Sequence, residues 1–216
     1  MAPQRLFSSL LPTLAEKLKP TPLSTLPSLS RAALLRASAH LTTHAPASLL
    51  SSHAALALPL LSQWMEGVVP STAGVQPLPP MAGVEPGDEL HPPTASTLRL
   101  LVSVLAVTRK LLQGGASESG SSVSLLLPVW LKMVSTLDET SRTRDETSSC
   151  AKERLEGLEG CIRCIGEARL LPYFLVYPYK RQVLQMLRPA LDHRKRRVRQ
   201  AAAECINQWH QITHKR

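Results

Sequence analysis

Two stripes of apolar residues near the end of the chain have the spacing of amphipathic helices. In the first stripe, apolar side chains recur at three- and four-residue steps: Val183, Met186, Leu187, Ala190 and Leu191. The second stripe keeps this period, and neither glycine nor proline interrupts it: Val198, Ala201, Ala202, Cys205, Ile206, Trp209 and Ile212. Because the segment between the stripes is short, the pattern predicts two antiparallel helices that pack as a hairpin over 177–213.

Leucine-rich segments with an internal proline predict three earlier helices. They are LLPTL from Leu10, ALPLL from Ala57 and LLPVWL from Leu126. A proline inside a helix removes one hydrogen bond and bends the axis. A second amphipathic stretch follows each of them, over 29–41, 95–112 and 150–165. The chain is therefore predicted to be a single all-α domain of about four hairpins, over 5–43, 48–112, 123–167 and 177–213.

Three connecting segments have compositions that disfavour a helix. The segment 68–93 contains seven prolines and three glycines, so we expect an inserted loop there that is disordered or used for binding. The segment 113–122 is rich in glycine and serine and predicts a flexible connection. The segment 137–149 is polar with mixed charges, and it predicts a mobile loop.

The order of residues in the last hairpin is typical of a repeat. An aspartate in the turn is followed by a valine–arginine pair and then by small residues: Asp192, Val198, Arg199, Ala201 and Ala202. This order resembles a HEAT repeat, which implies an α-solenoid, a superhelical stack of antiparallel helix pairs. We expect Asp192 to cap the second helix by accepting hydrogen bonds from its free backbone amides. The resemblance implies that Arg199 pairs with the aspartate of a neighbouring turn, and we expect Trp209 to close the end of the core.

A more specific resemblance rests on the motif LVYPYK from Leu175 and on residues that follow it: Gln182, Val183, Pro189, Leu191, Asp192, Arg194, Lys195, Arg196, Val198, Arg199, Ala201 and Trp209. These residues are similar to the C-terminal HEAT repeat of the targeting subunits of the cytosolic iron–sulfur protein assembly (CIA) machinery. The resemblance implies a non-catalytic adaptor that helps deliver iron–sulfur clusters to apo-proteins of DNA replication and repair. It implies other CIA targeting-complex subunits and those apo-proteins as partners, no cofactor, and a location in the cytoplasm and nucleus.

Positive charge is concentrated at the end of the chain. Most of the formal net charge of +9 lies between residues 180 and 216. This segment contains ten cationic residues and only two acidic ones, Asp192 and Glu204. Six of the cations are predicted to form a basic ridge that binds an acidic partner surface: Lys180, Arg181, Arg194, Lys195, Arg196 and Arg197. A solvated helix face is one alternative. The other is a HEAT scaffold of nuclear transport or chromatin that binds nucleic acid or histones through the ridge.

The first part of the chain allows two interpretations. No acidic residue occurs between Lys17 and Met65, whereas Arg31, Arg36 and many serines and threonines do. This composition resembles an organelle transit peptide. An ordinary helical repeat is the alternative, because the apolar period continues beyond the point where a transit segment would be cleaved.

Four cysteines without a secretory leader favour a reducing compartment. Cys161 and Cys164 form a CxxC, but Cys150 and Cys205 supply no second paired motif, so we expect packing rather than a metal site and leave a metal or redox role open. HExxH, GxSxG, glycine-rich phosphate loops and paired carboxylates are missing from the sequence, which predicts a non-enzyme. No apolar run reaches the roughly 18 residues of a membrane span.

Overall fold

A computed structural model describes residues 2–18, 28–68, 94–113, 120–143 and 150–212. These residues form helices joined by short turns, without a strand among them, which confirms the all-α class. The helices are α1 (Ala2–Leu18), α2 (Ser28–His44), α3 (Ala47–Ser52), α4 (Ala54–Val68), α5 (Ala95–Gln113), α6 (Gly120–Thr143), α7 (Ala151–Ala168), α8 (Tyr173–Val176), α9 (Lys180–Leu191) and α10 (Arg196–His210), with a 3₁₀ turn at Tyr177–Tyr179. No helix within these ranges is both long and apolar enough to cross a membrane.

The helices pack in a regular order. α1, α4, α6 and α9 contact one another in sequence, and α2, α5, α7 and α10 do the same. Each member of the first row also contacts the next member of the second row along the chain: α1 with α2, α4 with α5, α6 with α7 and α9 with α10. The described helices therefore form two layers, and the apolar side chains meet between them.

Large leucine side chains and three tryptophans, Trp64, Trp130 and Trp209, fill this core. Trp130 in α6 and Trp209 in α10 are completely buried. The predicted prolines lie inside their helices, Pro12 in α1, Pro59 in α4 and Pro128 in α6. Helix α7 contacts α5, α6 and α10. A side chain at Gly160 would bring its Cβ to 3.1 Å from Leu105, so glycine allows the close approach of α7 to α5.

The prediction of a polar loop over 137–149 is wrong for residues 137–143, which belong to α6. Helix α6 continues to Thr143 because its polar residues face in two directions. Leu137, Asp138 and Ser141 point into the protein and are buried. Arg142 forms an ion pair one turn away, with 2.9 Å between its Nε and Asp138 Oδ2, and such a pair supports a helix. Composition alone did not reveal this buried polar face.

Two other predicted connections fall largely outside the described residues. The glycine- and serine-rich connection 113–122 is shorter than expected, since α5 includes Gln113 and α6 begins at Gly120. Its remaining residues, 114–119, lie outside the described ranges, as do residues 144–149. Of the proline-rich insertion 68–93, only Val68, the last residue of α4, is described. The described chain resumes at Thr94, directly after the insertion.

Candidate functional site

A buried histidine organises the turn between α9 and α10. His193 is 1% exposed. Its Nδ1 accepts a hydrogen bond from the Lys195 backbone N–H at 3.1 Å. Its Nε2 lies 2.9 Å from Ser141 Oγ, and that hydroxyl donates to the Asp138 carbonyl at 2.8 Å. The turn is thus joined to the end of α6 by a continuous hydrogen-bonded chain.

This chain fixes the protonation state of His193. Nδ1 accepts and therefore carries no proton, so the proton lies on Nε2 and is donated to Ser141. Burial lowers the pKa of His193 from its ordinary value of 6.5, more than the Asp138 carboxylate raises it. A neutral ring fits the site, because a proton on Nδ1 would lie against the proton of the Lys195 N–H and repel it.

Two arginines join the end of α6 to the end of α9. Arg142, near the end of α6, donates to the Pro189 carbonyl in α9 at 2.6 Å. Arg194, in the turn after α9, donates to the Ser141 carbonyl in α6 at 2.7 Å. Each guanidinium thereby satisfies a carbonyl in the last turn of a helix, where the helix itself provides few donors and the dipole favours a cation. We call these two bonds the reciprocal arginine clamp.

The turn departs from the predicted capping. Asp192 is exposed and follows the end of α9, where its own N–H donates to Pro189. The residue that precedes α10 is Lys195, in an extended conformation and without a side-chain cap. Asp192 is therefore three residues too far from the helix to cap it, and the predicted cap is wrong. Instead, the ring of His193 accepts the N–H of Lys195.

The six cations of the predicted ridge do not lie together. Lys180 and Arg181 begin α9, whereas the other four lie in the turn after it and in the first turn of α10. A helix of 12 residues separates the two groups by roughly 18 Å. Lys180 is engaged with the other end of α10, since its Nζ donates to the His210 and Ile212 carbonyls at 3.2 and 2.7 Å. The six cations thus form two groups at opposite ends of α9 rather than one ridge, and their binding of an acidic partner surface stays a prediction.

A groove lies beside the turn, between it and the first half of α7, and has a volume of about 330 Å³. Three residues of the predicted ridge line it: Arg194, Lys195 and Arg197. Helix α7 contributes Lys152 and Arg154, and also the carboxylates of Glu156 and Glu159. Apolar side chains from both sides complete the lining: Ala151, Leu155 and Val198. We call this cavity the turn groove.

The carboxylates of the turn groove have cationic partners on the same helix. Glu156 lies 4.0 Å from Lys152, and Glu159 lies 2.6 Å from Arg163. Arg197, whose side chain is 80% exposed, approaches Glu159 to 3.6 Å. Arg196 and Arg181 are also exposed but lie outside the lining of the groove. The groove therefore has a mixed lining of cationic, acidic and apolar side chains.

The predicted repeat residues have mixed outcomes. Val198 and Trp209 are buried, and the Trp209 indole N–H donates to the Ile165 carbonyl of α7 at 2.8 Å. Arg199 donates to the carbonyls of His193 and Arg194 at 2.8 and 3.0 Å. It thus stabilises its own turn. The pairing with an aspartate of a neighbouring turn stays a prediction, because residues 144–149 between α6 and α7 lie outside the described ranges. Trp209 thus ties α10 to α7 of the preceding helix pair.

The two cysteines of the CxxC are packed in the core. Both are fully buried, and the Cys164 thiol lies 3.3 Å from the Leu105 carbonyl, to which it donates. Burial raises the pKa of Cys164 to about 12 and that of Cys161 well above the ordinary value. Within the described ranges, no group of three or more histidine, cysteine, aspartate or glutamate side chains is placed to hold a metal ion.

His193, Ser141 and Glu159 were not identified from the sequence. A signal for His193 was present, because it lies three residues after Ala190 and so continues the stripe of Val183, Leu187 and Ala190. It was obscured by the arginines and lysine that follow. Ser141 and Glu159 gave no comparable signal, since their roles depend on which helices meet.

Comparison with known proteins gives one short similarity. The chain is 40% identical over 55 residues to the MMS19 nucleotide excision repair protein homolog of Arabidopsis thaliana. The matched stretch is 26% of this chain and 5% of that protein, so the chain spans a small part of its relative's length. No family model matches the chain, and no solved structure matches it.

Proposed function

We propose that the chain is a non-catalytic HEAT-type adaptor of the CIA targeting complex, which helps deliver iron–sulfur clusters to apo-proteins of DNA replication and repair. The observation that carries this proposal is the 40% identity over 55 residues to the MMS19 homolog. It agrees with the resemblance of the last hairpin to the targeting subunits. In this role the chain works in the cytoplasm and nucleus, and its partners are the other targeting subunits and the apo-proteins.

The packing order of the helices supports the HEAT-type solenoid within this proposal. In a solenoid each repeat contacts only its neighbours along the chain. The contacts of α1 with α4, α4 with α6 and α6 with α9, together with the matching row α2, α5, α7 and α10, have this form. Four antiparallel helix pairs within one domain, at about 5–43, 48–112, 123–167 and 177–213, would account for this order of contacts.

The experiment is affinity purification of the tagged 216-residue chain from a reducing cytosolic extract, with partners identified by mass spectrometry. We expect the CIA targeting subunits to co-purify. Reversal of three cations at the turn, Lys195→Glu, Arg196→Glu and Arg197→Glu, should reduce their recovery. The matched control is the reversal of Lys110, Arg169 and Arg188, three exposed cations that belong neither to the groove lining nor to the six predicted partner-binding residues. Absence of the targeting subunits from the wild-type sample would contradict the proposal.

The alternative function, a nuclear-transport or chromatin scaffold, predicts a different dependence on salt. A protein that neutralises phosphates releases counterions, so its affinity for duplex DNA falls steeply as salt rises. We expect only weak binding to duplex DNA, because Glu156 and Glu159 line the turn groove and would face the phosphates. Tight and steeply salt-dependent binding, without capture of CIA subunits, would favour the scaffold.

A further inference from the structure

Two exposed aromatic side chains lie in the connection between α7 and α9. Phe174 is 72% exposed and Tyr177 is 51% exposed, whereas Val176 between them is buried in the core. Tyr177 belongs to the motif LVYPYK that begins at Leu175. Single exposed apolar residues are common on protein surfaces, but aromatic side chains that lie together in solvent are typical of binding surfaces. We call Phe174 and Tyr177 the aromatic patch.

The aromatic patch is restrained by its neighbours. Pro172 immediately precedes α8, and Pro178 lies within the 3₁₀ turn, so the backbone is stiff on both sides of the patch. The ring of Tyr173 stacks on that of Tyr177, with 4.7 Å between the ring centroids and 27° between the ring planes. Binding of a partner would therefore cost little conformational entropy in this part of the chain.

An arginine continues the aromatic patch along the start of α9. The backbone is in the right-handed helical region at Val176, Tyr177 and Lys180, so α8, the 3₁₀ turn and α9 follow one helical path. Phe174, Tyr177 and Arg181 occur at three- and four-residue steps along this path. They therefore lie on one face of it.

The charge beside the aromatic patch is not neutralised by the protein. Arg181 is exposed, and within the described ranges it forms neither a hydrogen bond nor an ion pair. No acidic residue occurs in the sequence between Glu167 and Asp192. The carboxylate of Glu167 already binds Arg109 and Gln113 of α5, and Asp192 follows the opposite end of α9. A carboxylate supplied by a partner would therefore complement Arg181.

Two other occupants fit the aromatic patch less well. A second copy of this chain would bring one Arg181 towards the other across a two-fold axis, and each copy carries a formal charge of +9. A single-stranded nucleic acid needs open ring faces for its bases and several cations along its backbone. Tyr173 covers one face of Tyr177, and Lys180 is directed to the end of α10. The patch therefore suits one apolar side chain and one carboxylate better than a run of bases and phosphates.

We infer that the aromatic patch binds a short segment of a partner protein, in which an aliphatic side chain packs on Phe174 and a carboxylate pairs with Arg181. The two contacts lie two helical turns apart, which is about 10 Å. An extended segment advances about 3.3 Å per residue, so a leucine and a glutamate about four positions apart can reach both with their side chains on the same side. This inference rests on the proposed adaptor function, because it names the chemistry of one partner segment.

The test is nuclear magnetic resonance of the 216-residue chain, labelled with nitrogen-15 and titrated with a short peptide. In this peptide a leucine and a glutamate stand about four positions apart among glycines and serines. We expect saturable shifts of the backbone amide signals in α8 and at the start of α9. Replacement of the glutamate by glutamine, or of the leucine by glycine, should weaken binding.

Two variants of the chain separate the apolar contact from the ion pair. Phe174→Ser removes the ring on which the leucine packs and should weaken binding about tenfold. Arg181→Glu should weaken binding of the glutamate peptide about fivefold and strengthen binding of a peptide that carries lysine instead. Both side chains are exposed, so the thermal unfolding temperature should stay unchanged. The matched control Lys110→Glu, an exposed cation on α5, should leave binding unchanged.

Several results would overturn the inference. Equal binding of the glutamate and glutamine peptides would do so, as would equal weakening by Arg181→Glu and Lys110→Glu. Displacement of the peptide by an oligothymidylate would show a nucleic-acid site instead. Amide shifts in α8 that depend on protein concentration alone would show contact with a second copy instead.

The aromatic patch and the proposed function can fail separately. Peptide binding without co-purification of CIA subunits would support the patch and contradict the proposed function. Co-purification of CIA subunits without peptide binding would overturn the patch and leave the proposed function standing.

Discussion

The protonation of a single side chain, His193, controls how the turn before α10 is held. Its two ring nitrogens have opposite roles, since Nδ1 accepts from Lys195 and Nε2 donates to Ser141. The charged groups around it are Asp138, Arg142 and Arg194, of which the carboxylate favours the protonated ring and the arginines oppose it. Burial has the largest effect and keeps the ring neutral.

Acid should therefore destabilise the protein through His193. Its pKa is lowered in the folded state, so below the ordinary value of 6.5 the unfolded chain binds more protons than the folded one. The stabilisation is complete above pH 6.5 and is lost as the pH falls through the folded pKa. The free energy of unfolding, measured in urea by circular dichroism, should fall by up to about 1.4 kcal/mol per pH unit from this residue.

A pair of variants isolates the contribution of His193. His193→Gln keeps an acceptor and a donor but does not titrate, so its free energy of unfolding should depend less on pH than that of the wild type. His210→Gln is the matched control, because His210 is exposed near the end of α10. A His193→Gln profile parallel to the wild-type profile would show that His193 does not stay neutral in the folded protein.

Two buried tryptophans differ in one hydrogen bond. Trp209 Nε1 donates to Ile165, whereas Trp130 Nε1 is buried without a partner among the described groups. Trp209→Phe should therefore lower the free energy of unfolding by about 0.5–1.5 kcal/mol more than Trp130→Phe does, because only the first change removes a hydrogen bond. Chemical denaturation of both variants measures the difference, and equal losses would assign the role of Trp209 to packing alone.

The helices themselves could be predicted from the apolar period, but their ends could not. The predicted stretch 95–112 agrees closely with α5, and the stretch 29–41 lies within α2. The short helix α3 and the last turn of α6 were missed because neither has a distinct apolar stripe. The cap expected from Asp192 failed for a related reason, since α10 begins at Arg196 and the sequence does not show how far the turn extends.

The end of α10 is held by the start of α9. Lys180 donates to two carbonyls at this end, where the helix has few donors of its own. Lys180→Met keeps the length of the side chain and removes the charge, so it should lower the free energy of unfolding by about 0.5–1 kcal/mol. Arg181→Met, at an exposed neighbouring position, should have little effect. Thermal unfolding followed by circular dichroism compares them, and equal shifts would argue against the cap.

At the scale of the whole molecule, the candidate site depends on which helix ends meet. The sequence indicated a basic ridge because its cations are close along the chain, but α9 separates Lys180 from the turn. The turn groove instead combines the turn with the first half of α7, and the charges of Glu156 and Glu159 change its character. The turn and α7 become neighbours because one helix pair packs on the next, and the pattern of residues along the sequence does not contain this information.

The reciprocal arginine clamp joins the last helix pair to the one before it, so its removal should loosen that pair selectively. With Arg142→Gln and Arg194→Gln combined, the Pro189 and Ser141 carbonyls lose their arginine donors, and Pro189 keeps only the Asp192 N–H, at about 1–2 kcal/mol for each bond lost. In a stack with nearest-neighbour contacts, amide hydrogen exchange should become faster in α9 and α10 and change little in α4 and α5. The double variant Arg181→Gln with Arg196→Gln, two exposed arginines, is the control and should exchange like the wild type. Uniformly faster exchange throughout the chain would mean that the helices unfold as one unit rather than pair by pair.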